Sequence, residues 1–302
     1  MKTIIQTAIL SLLLFIFFLL WTFPFNRLGP RVRNELEKVI GREMRIQAQC
    51  NVEGFDFAFP LGVKWQKLGC VAPQFTLFDF DSGRLNLFPF FRGITTEVGK
   101  GRMKIKIDFA GLIIPAKTSE DILGIHATFD NVPVEKFLPV VMANAPKIHF
   151  ALPQEIKLQG ILQGKVDLPL RDMNRKDGSV DLRFTNLKAP SQMLLENLGL
   201  KELNFSKSNI KAELNAGKLQ IQDLAFLSKE ISGKVEGAVD LSTGDFNKAT
   251  PNLTLKWQIV KSDALMASYL GQALVAAPCP SPDEQGFCTR RINRMQDFKS
   301  SY

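Results

Sequence analysis

Histidine is all but missing from this chain, with His126 and His149 the only two. That scarcity thins out the chemistry available. A Ser or Cys nucleophile needs a neighbouring base, and no Gly-x-Ser-x-Gly elbow is present to position one. There is no His-Glu-x-x-His helix, no Cys-x-x-Cys pair and no Walker-type glycine loop; Gly99-Lys100-Gly101 lacks both the preceding glycine and the hydroxyl residue that a phosphate cradle needs. His126 falls in a strand-like run and His149 stands beside Phe150, so both read as structural. Asp79 and Asp81 flank a turn and read as solubilising groups, while carboxylate pairs of the glycosidase kind, drawn from distant parts of a chain, stay open. The expectation is no enzyme, no catalytic residue, no metal and no cofactor.

A basic run is missing too. Thirty-eight Lys and Arg against thirty Asp and Glu give a net charge of +8, but the cations are scattered along alternating segments and form no recognition motif. This points to a solvated surface near anionic lipid rather than to nucleic acid. No long Ser/Pro linker divides the chain, which reads as one elongated body with a small C-terminal appendix.

Long apolar runs are absent except for one, and that one comes first. From Ile4 to Phe25 only Gln6, Thr7, Ser11 and Thr22 interrupt the apolar residues, a length suited to crossing a bilayer as a helix. A cleaved signal peptide is the competing reading, but the run ends in Trp21-Thr22-Phe23-Pro24-Phe25, bulky residues that suit a membrane interface better than a cleavage site. Orientation is contested. Arg27, Arg31 and Arg33 after the span would hold the body in the cytoplasm by the positive-inside rule. The short N-terminal tail and the cysteines favour the other side, with those arginines facing lipid phosphates.

Four cysteines fall into two sequence-local pairs, Cys50 with Cys70 and Cys279 with Cys288. Pairing suits an oxidising compartment, although free thiols also serve as small buried hydrophobes. A Cys50–Cys70 bond would staple two early strands and stabilise the fold by roughly 3 kcal/mol in the chain-entropy model. Cys279 and Cys288 would close a loop containing Pro280, Pro282 and Gly286.

What the body does have is alternation. Met103, Ile105, Ile107 and Phe109 alternate with charged residues, as do Leu253, Leu255, Trp257 and Ile259; Ile210, Ala212, Leu214 and Val180, Leu182, Phe184 repeat the pattern, and Phe55, Phe57 and Phe59 form another apolar face. Period two means half-buried strands. Asp81-Ser82-Gly83, Asp177-Gly178-Ser179, Asn215-Ala216-Gly217 and Thr243-Gly244-Asp245 lie between such runs and predict antiparallel hairpins. Helices are few: one with Val32, Leu36, Val39 and Ile40 on one face and Gly41 as its stop, then Pro133–Ala143, Ser191–Leu198 and Ser262–Leu274 with Ser262 or Asp263 as cap.

A repeat sits within the strands. Gly160-Ile161-Leu162-Gln163-Gly164-Lys165-Val166-Asp167-Leu168 matches Gly233-Lys234-Val235-Glu236-Gly237-Ala238-Val239-Asp240-Leu241 as G-x-x-x-G-x-V-D-L. Glycine inside a strand marks a bend, bulge or close approach, so matched glycines predict a sheet that curves regularly, unless the match is mere convergence of amphipathic strands. Such a sheet either folds over a dry core or stays a trough for apolar ligands. The candidate groove residues are Phe75, Leu77, Phe88, Phe90, Ile105, Ile107, Leu255 and Trp257.

A single span, then an amphipathic helix entering a strand through Gly41-Arg42 (Leu36 to Ile46), then antiparallel strands carrying the G-x-x-x-G-x-V-D-L segments, resembles the AsmA-like superfamily. Length, single anchor and small body are most similar to the type II secretion system protein N family. The resemblance spans most of the chain through soft motifs. It implies an inner-membrane, single-pass protein of a bacterial cell, with a periplasmic body and secretion-apparatus components as partners; relatives in the wider superfamily imply movement of phospholipid through an apolar β groove. Cys279 to Cys288 and the basic tail with Arg290, Arg291, Arg294 and Lys299 have no counterpart in that pattern. The expected fold is mainly β, a long curved antiparallel sheet, trough- or taco-shaped, with few short helices and one transmembrane helix before it. The expected boundaries are 1–26 for the anchor, 27–275 for the β-rich body and 276–302 for the cysteine-bounded loop and tail.

Overall fold

The computed structural model describes residues 24–44, 47–58, 62–72, 75–86, 93–109, 122–136, 157–169, 176–191, 193–243, 249–276, 279 and 282–293. Strands dominate among them, as the alternation predicts. The chain divides into two compact units, 1–97 and 98–302.

In the first unit a short 3-10 turn, Phe25–Leu28, leads into helix α1, Gly29–Met44. Ile40 is buried and Val32 and Leu36 are half-buried on one face, while Val39, expected beside them, is 51% exposed. The helix runs through Gly41 rather than stopping there. A helical glycine costs only about 1 kcal/mol, and Arg42 in the last turn complements the negative end of the helix. Residues 1–23, which carry nearly all of the expected anchor, lie outside the described residues, among which no helix is long and apolar enough to cross a membrane.

Strand β1 (Gln49–Glu53) follows, tied back to α1 by the Cys50 N–H donating to Glu37 Oε1 at 2.9 Å. It pairs with β4 (Lys67–Ala72), and β4 with β5 (Phe75–Phe80), as a three-stranded sheet. Cys50 and Cys70 stand directly opposite each other and are joined, with Cys70 fully buried. Strands β2 (Asp56–Phe57), β3 (Gly62–Trp65), β6 (Gly83–Asn86) and β7 (Gly93–Val98) run in the order β7-β6-β3-β2. The turn at Asp81-Ser82-Gly83 is therefore not a hairpin, for it passes the chain from one sheet to the other. Glu97 holds it there, accepting from the Asp81 N–H at 2.9 Å and donating to the Ser82 carbonyl at 2.8 Å. A side chain at Gly83 would run into the Trp65 indole.

The second unit is a meander. Strands β8 (Gly101–Phe109), β9 (Ile122–Pro133), β10 (Gln159–Pro169), β11 (Gly178–Ala189), β12 (Leu203–Asn215), β13 (Lys218–Ser228), β14 (Ile231–Asp240), β15 (Thr250–Ile259) and β16 (Cys288–Ile292) pair in chain order, each antiparallel to the next. Ala216 and Gly217, with φ of +47° and +81°, make the two-residue turn between β12 and β13 that matches strand twist. β16 pairs with β15, so residues 288–292 extend the sheet.

Three short helices close one end of these strands. Helix α2 (Met193–Asn197), α3 (Asp263–Met266) and α4 (Tyr269–Ala276) bring Leu195, Leu198 and Leu265 against Ala189 and Leu203, with Ile231 and Ile259 packed alongside. The expected Ser262–Leu274 helix is thus two helices. Ser262 Oγ caps α3, and Ser268 Oγ accepts from the Gly271 N–H at 2.9 Å, starting α4 afresh. Of the expected Pro133–Ala143 helix, Pro133 ends β9, 134–136 are helical and 137–143 lie outside the described residues.

Candidate apolar binding face

Residues opposite each other in an antiparallel pair project to the same face, so the register can be followed from strand to strand. One row reads Ile105, Ala127, Val166, Val180, Ala212, Ile221, Gly237, Leu253 and Ile292, one residue from each strand from β8 to β16. Every member is apolar or glycine. A row of the opposite parity reads Lys106, His126, Asp167, Ser179, Glu213, Gln220, Ala238 and Asn252, polar but for Ala238. Alternation in each strand has therefore been brought into phase across the unit, which separates one apolar from one charged face.

A second apolar row runs Met103, Phe129, Gly164, Leu182, Ile210, Leu224, Val235 and Leu255, and then ends in a cation, Arg290 on β16. A third includes Phe226, Gly233, Trp257 and Cys288. Covering is uneven. Met103 and Phe129 are buried at one side, whereas Leu182, Ile210, Leu224, Val235, Leu255, Phe226 and Trp257 are all only half-buried. Large apolar side chains keep residual exposure over the middle strands, and it is there that an apolar ligand would gain most from contact.

The repeat glycines differ in kind. Gly164 and Gly237 have φ of +137° and +120°, and a Cβ on either would collide with a neighbouring carbonyl, that of Asp181 or Asn252. Each also faces a strand carrying one extra residue, between Phe129 and Val132 and between Ile221 and Leu224. Bulges strengthen local twist. The first glycines of the two copies do not match: a Cβ on Gly160 would touch the Leu187 Cα at 3.0 Å, whereas one on Gly233 would find nothing within 4 Å among the described residues.

The structure sorts the candidate groove residues. Ile105, Leu255 and Trp257 lie on the apolar face, but β8 and β15 stand seven strand positions apart. Leu77 belongs to the first unit's three-stranded sheet and is 2% exposed. Phe75 lies in β5 and Ile107 opposite Ile125 in β8, with side chains outside the description; Phe88 and Phe90 lie wholly outside it. Leu182, Ile210, Leu224, Phe226 and Val235, absent from the expected groove, form its middle. Counting back from the Ala216-Gly217 turn pairs Ile210 with Asp223, and only the extra residue of β13 between Ile221 and Asp223 brings Leu224 opposite it. Nothing in Thr289-Arg290-Arg291 shows which arginine faces the apolar side.

The second disulfide, Cys279–Cys288, lies at the edge of this face, since Cys288 is opposite Trp257. Its loop is fastened to the charged face. Asp283 Oδ1 accepts the N–H groups of Gln285 and Phe287 at 3.0 and 2.8 Å, and the Lys234 ammonium stands 4.6 Å from the Phe287 ring centroid. Lys256 meets Glu236 at 2.8 Å, a hydrogen bond that raises its pKa above the ordinary lysine value. His126 Nδ1 lies 2.9 Å from Asp167 Oδ1 on the same charged face, as a cross-strand pair. Arg294 and Lys299 of the basic tail lie outside the described residues.

No family model, curated protein or solved structure matches the chain.

Proposed function

We propose that this protein binds the acyl chains of lipids along the apolar face of its second unit and carries them without chemical change. The observation behind this reading is the phased apolar face with half-buried Leu182, Ile210, Leu224, Val235, Leu255 and Trp257. A closed core would cover such residues, and a scaffold would have no use for leaving them partly open. In this reading the N-terminal apolar run holds the chain in a bacterial inner membrane, with the disulfide-bonded body in the periplasm and phospholipids passing between membranes as cargo. A subunit role beside the type II secretion apparatus, which the resemblance favours, needs no open apolar face.

Photo-crosslinking separates the two. A benzophenone side chain placed at Leu224 or Leu255 in the full chain should capture lipid, while the same group at Lys211 or Glu236 on the charged face should not. Absence of adducts from the apolar positions, together with folded exoproteins stranded in the periplasm of a strain lacking the protein, would replace the carrier with the secretion subunit.

A further inference from the structure

The two disulfides differ in access. Cys70 has no exposure and Cys50 only 7%, so the first bond is shielded from a thiol reagent while the first unit is folded. Cys279 and Cys288 are both half-buried, and Cys288 opens β16, the outermost strand of its sheet. An attacking thiolate has to reach a sulfur, so access decides which bond opens first. The bonds also differ in what they hold. Cys50 and Cys70 join two strands whose backbones already pair, whereas Cys279–Cys288 joins β16 to a residue three positions beyond the end of α4. Little else holds α4. Gly271 is buried against Leu265, for a Cβ on it would fall 2.1 Å from the Leu265 carbonyl oxygen, and Val275 packs on the cap cluster. Tyr269 and Leu270 are 87% and 46% exposed, and Gln272, Ala273 and Ala276 are exposed too. A helix of eight residues is not stable alone in water.

The turn before β16 is fastened without the disulfide. The Asp283 N–H donates to the Phe287 carbonyl at 2.8 Å, the Gly286 N–H to the Asp283 carbonyl at 2.9 Å, and the Gln258 side-chain amide to the Gln285 carbonyl at 3.3 Å, while Phe287 is buried and β16 pairs with β15. We propose that Cys279–Cys288 is a redox site, opened by a protein dithiol and closed again by a disulfide oxidant, and that its opening releases α4 from the cap while β16 and the Asp283 turn stay in place. A thiolate of the dithiol attacks one sulfur of the bond, forming a mixed disulfide and expelling the other cysteine as a thiolate, which takes up a proton. The second thiol of the dithiol, deprotonated, attacks the mixed disulfide, closes the reductant's own disulfide and frees the second cysteine. Two electrons and two protons pass to this protein, and the dithiol is oxidised to a disulfide. On release the cap loses Val275 from its apolar cluster. The site lies apart from the middle of the apolar face and does not depend on the carrier reading.

The test uses the oxidised full chain in detergent micelles, treated with dithiothreitol for increasing times and then alkylated, with each cysteine read by peptide mass spectrometry. Cys279 and Cys288 should be labelled at least about tenfold faster than Cys50 and Cys70. Hydrogen exchange on the same samples should speed up over residues 269–276 and stay unchanged over 288–292, and oxidised glutathione should reverse both changes. The double variant Cys279→Ser, Cys288→Ser should show the faster α4 exchange with no reductant present; if it does not fold, the reduced parent carries the comparison. Labelling of both pairs at one rate, or of Cys50 and Cys70 first, overturns the redox site. Faster labelling of Cys279 and Cys288 with α4 exchange unchanged overturns the release of α4. Loss of protection in β16 together with α4 overturns it as well, because the bond would then be holding the strand.

Discussion

Gly164 and Gly237 are backbone equivalents: each stands opposite a strand with one extra residue, at φ of +137° and +120°, with its α-carbon turned against the carbonyl of a neighbouring strand. No L side chain fits there without displacing that strand. Gly164→Ala and Gly237→Ala should each destabilise the protein by about 1–3 kcal/mol, read as a lower urea midpoint. Gly233→Ala, in an ordinary strand conformation with open space above it, should stay within about 0.5 kcal/mol of the parent or rise slightly. Equal losses at all three positions would show that the glycines are not distinguished by backbone geometry.

Leu265 has no exposure and sits at the centre of the helical cap. Leu265→Ala should cost about 2–5 kcal/mol. Leu224, on the half-buried part of the apolar face, should lose clearly less on truncation to Ala in the same denaturation experiment. A Leu224 loss as large as that of Leu265 would mean that the face is covered in solution.

Ser208 is buried opposite Phe226, and its hydroxyl has no hydrogen-bond partner among the described residues. Removing an unsatisfied buried hydroxyl returns its desolvation cost. Ser208→Ala should therefore raise stability by about 1 kcal/mol, visible as an upward shift in melting temperature. Lower stability would mean that the hydroxyl is bonded in solution.

Across β12 and β13, the Lys207 ammonium meets Asp223 at 2.7 Å, and with help from Asn209 its hydrogen bond holds the Asp223 carboxyl below the ordinary aspartate value. A lowered folded pKa contributes stability that is present above the unfolded value and lost as pH falls through the folded one. Lys207→Gln should move the Asp223 titration upward in a carbon-detected NMR series and weaken the protein at neutral pH, with the difference vanishing in acid. A titration unmoved by the substitution would remove Lys207 as the cause.

Both disulfides should withstand isolation, with no thiol reactive in the unfolded full chain until reductant is added. Breaking the Cys50–Cys70 bond, which spans a sequence separation of 20, should cost about 3 kcal/mol in the chain-entropy model. Cys279–Cys288, with a separation of 9, should cost somewhat less. Reactive thiols in the oxidised, unfolded chain would contradict the pairing.

Much of the second unit was legible residue by residue. Met103 to Phe109 and Leu253 to Ile259 announced their strands because side chains alternate across a sheet, and Asn215-Ala216-Gly217 announced its turn because few residues accept two successive positive φ angles. Asp81-Ser82-Gly83 misled because a turn motif specifies a local bend and not which strands pair afterwards; here Glu97 takes the backbone groups of Asp81 and Ser82. The break in Ser262–Leu274 escaped because helical periodicity continues across Ala267 and Ser268, while the interruption depends on one serine hydroxyl.

The order of residues along the chain dictates that strands form, that each has an apolar and a charged side, and that four cysteines can close two short loops. Those properties are local, set by side-chain alternation and turn chemistry. The register that aligns Ile105 with Ala127 and onward to Ile292, the placing of Arg290 at the end of an apolar row, and the space above Gly233 among the described residues come from the assembled sheet. Register is a relation between strands, and a slip of one residue reverses every side chain. No single strand carries that information, which belongs to the packing of all nine.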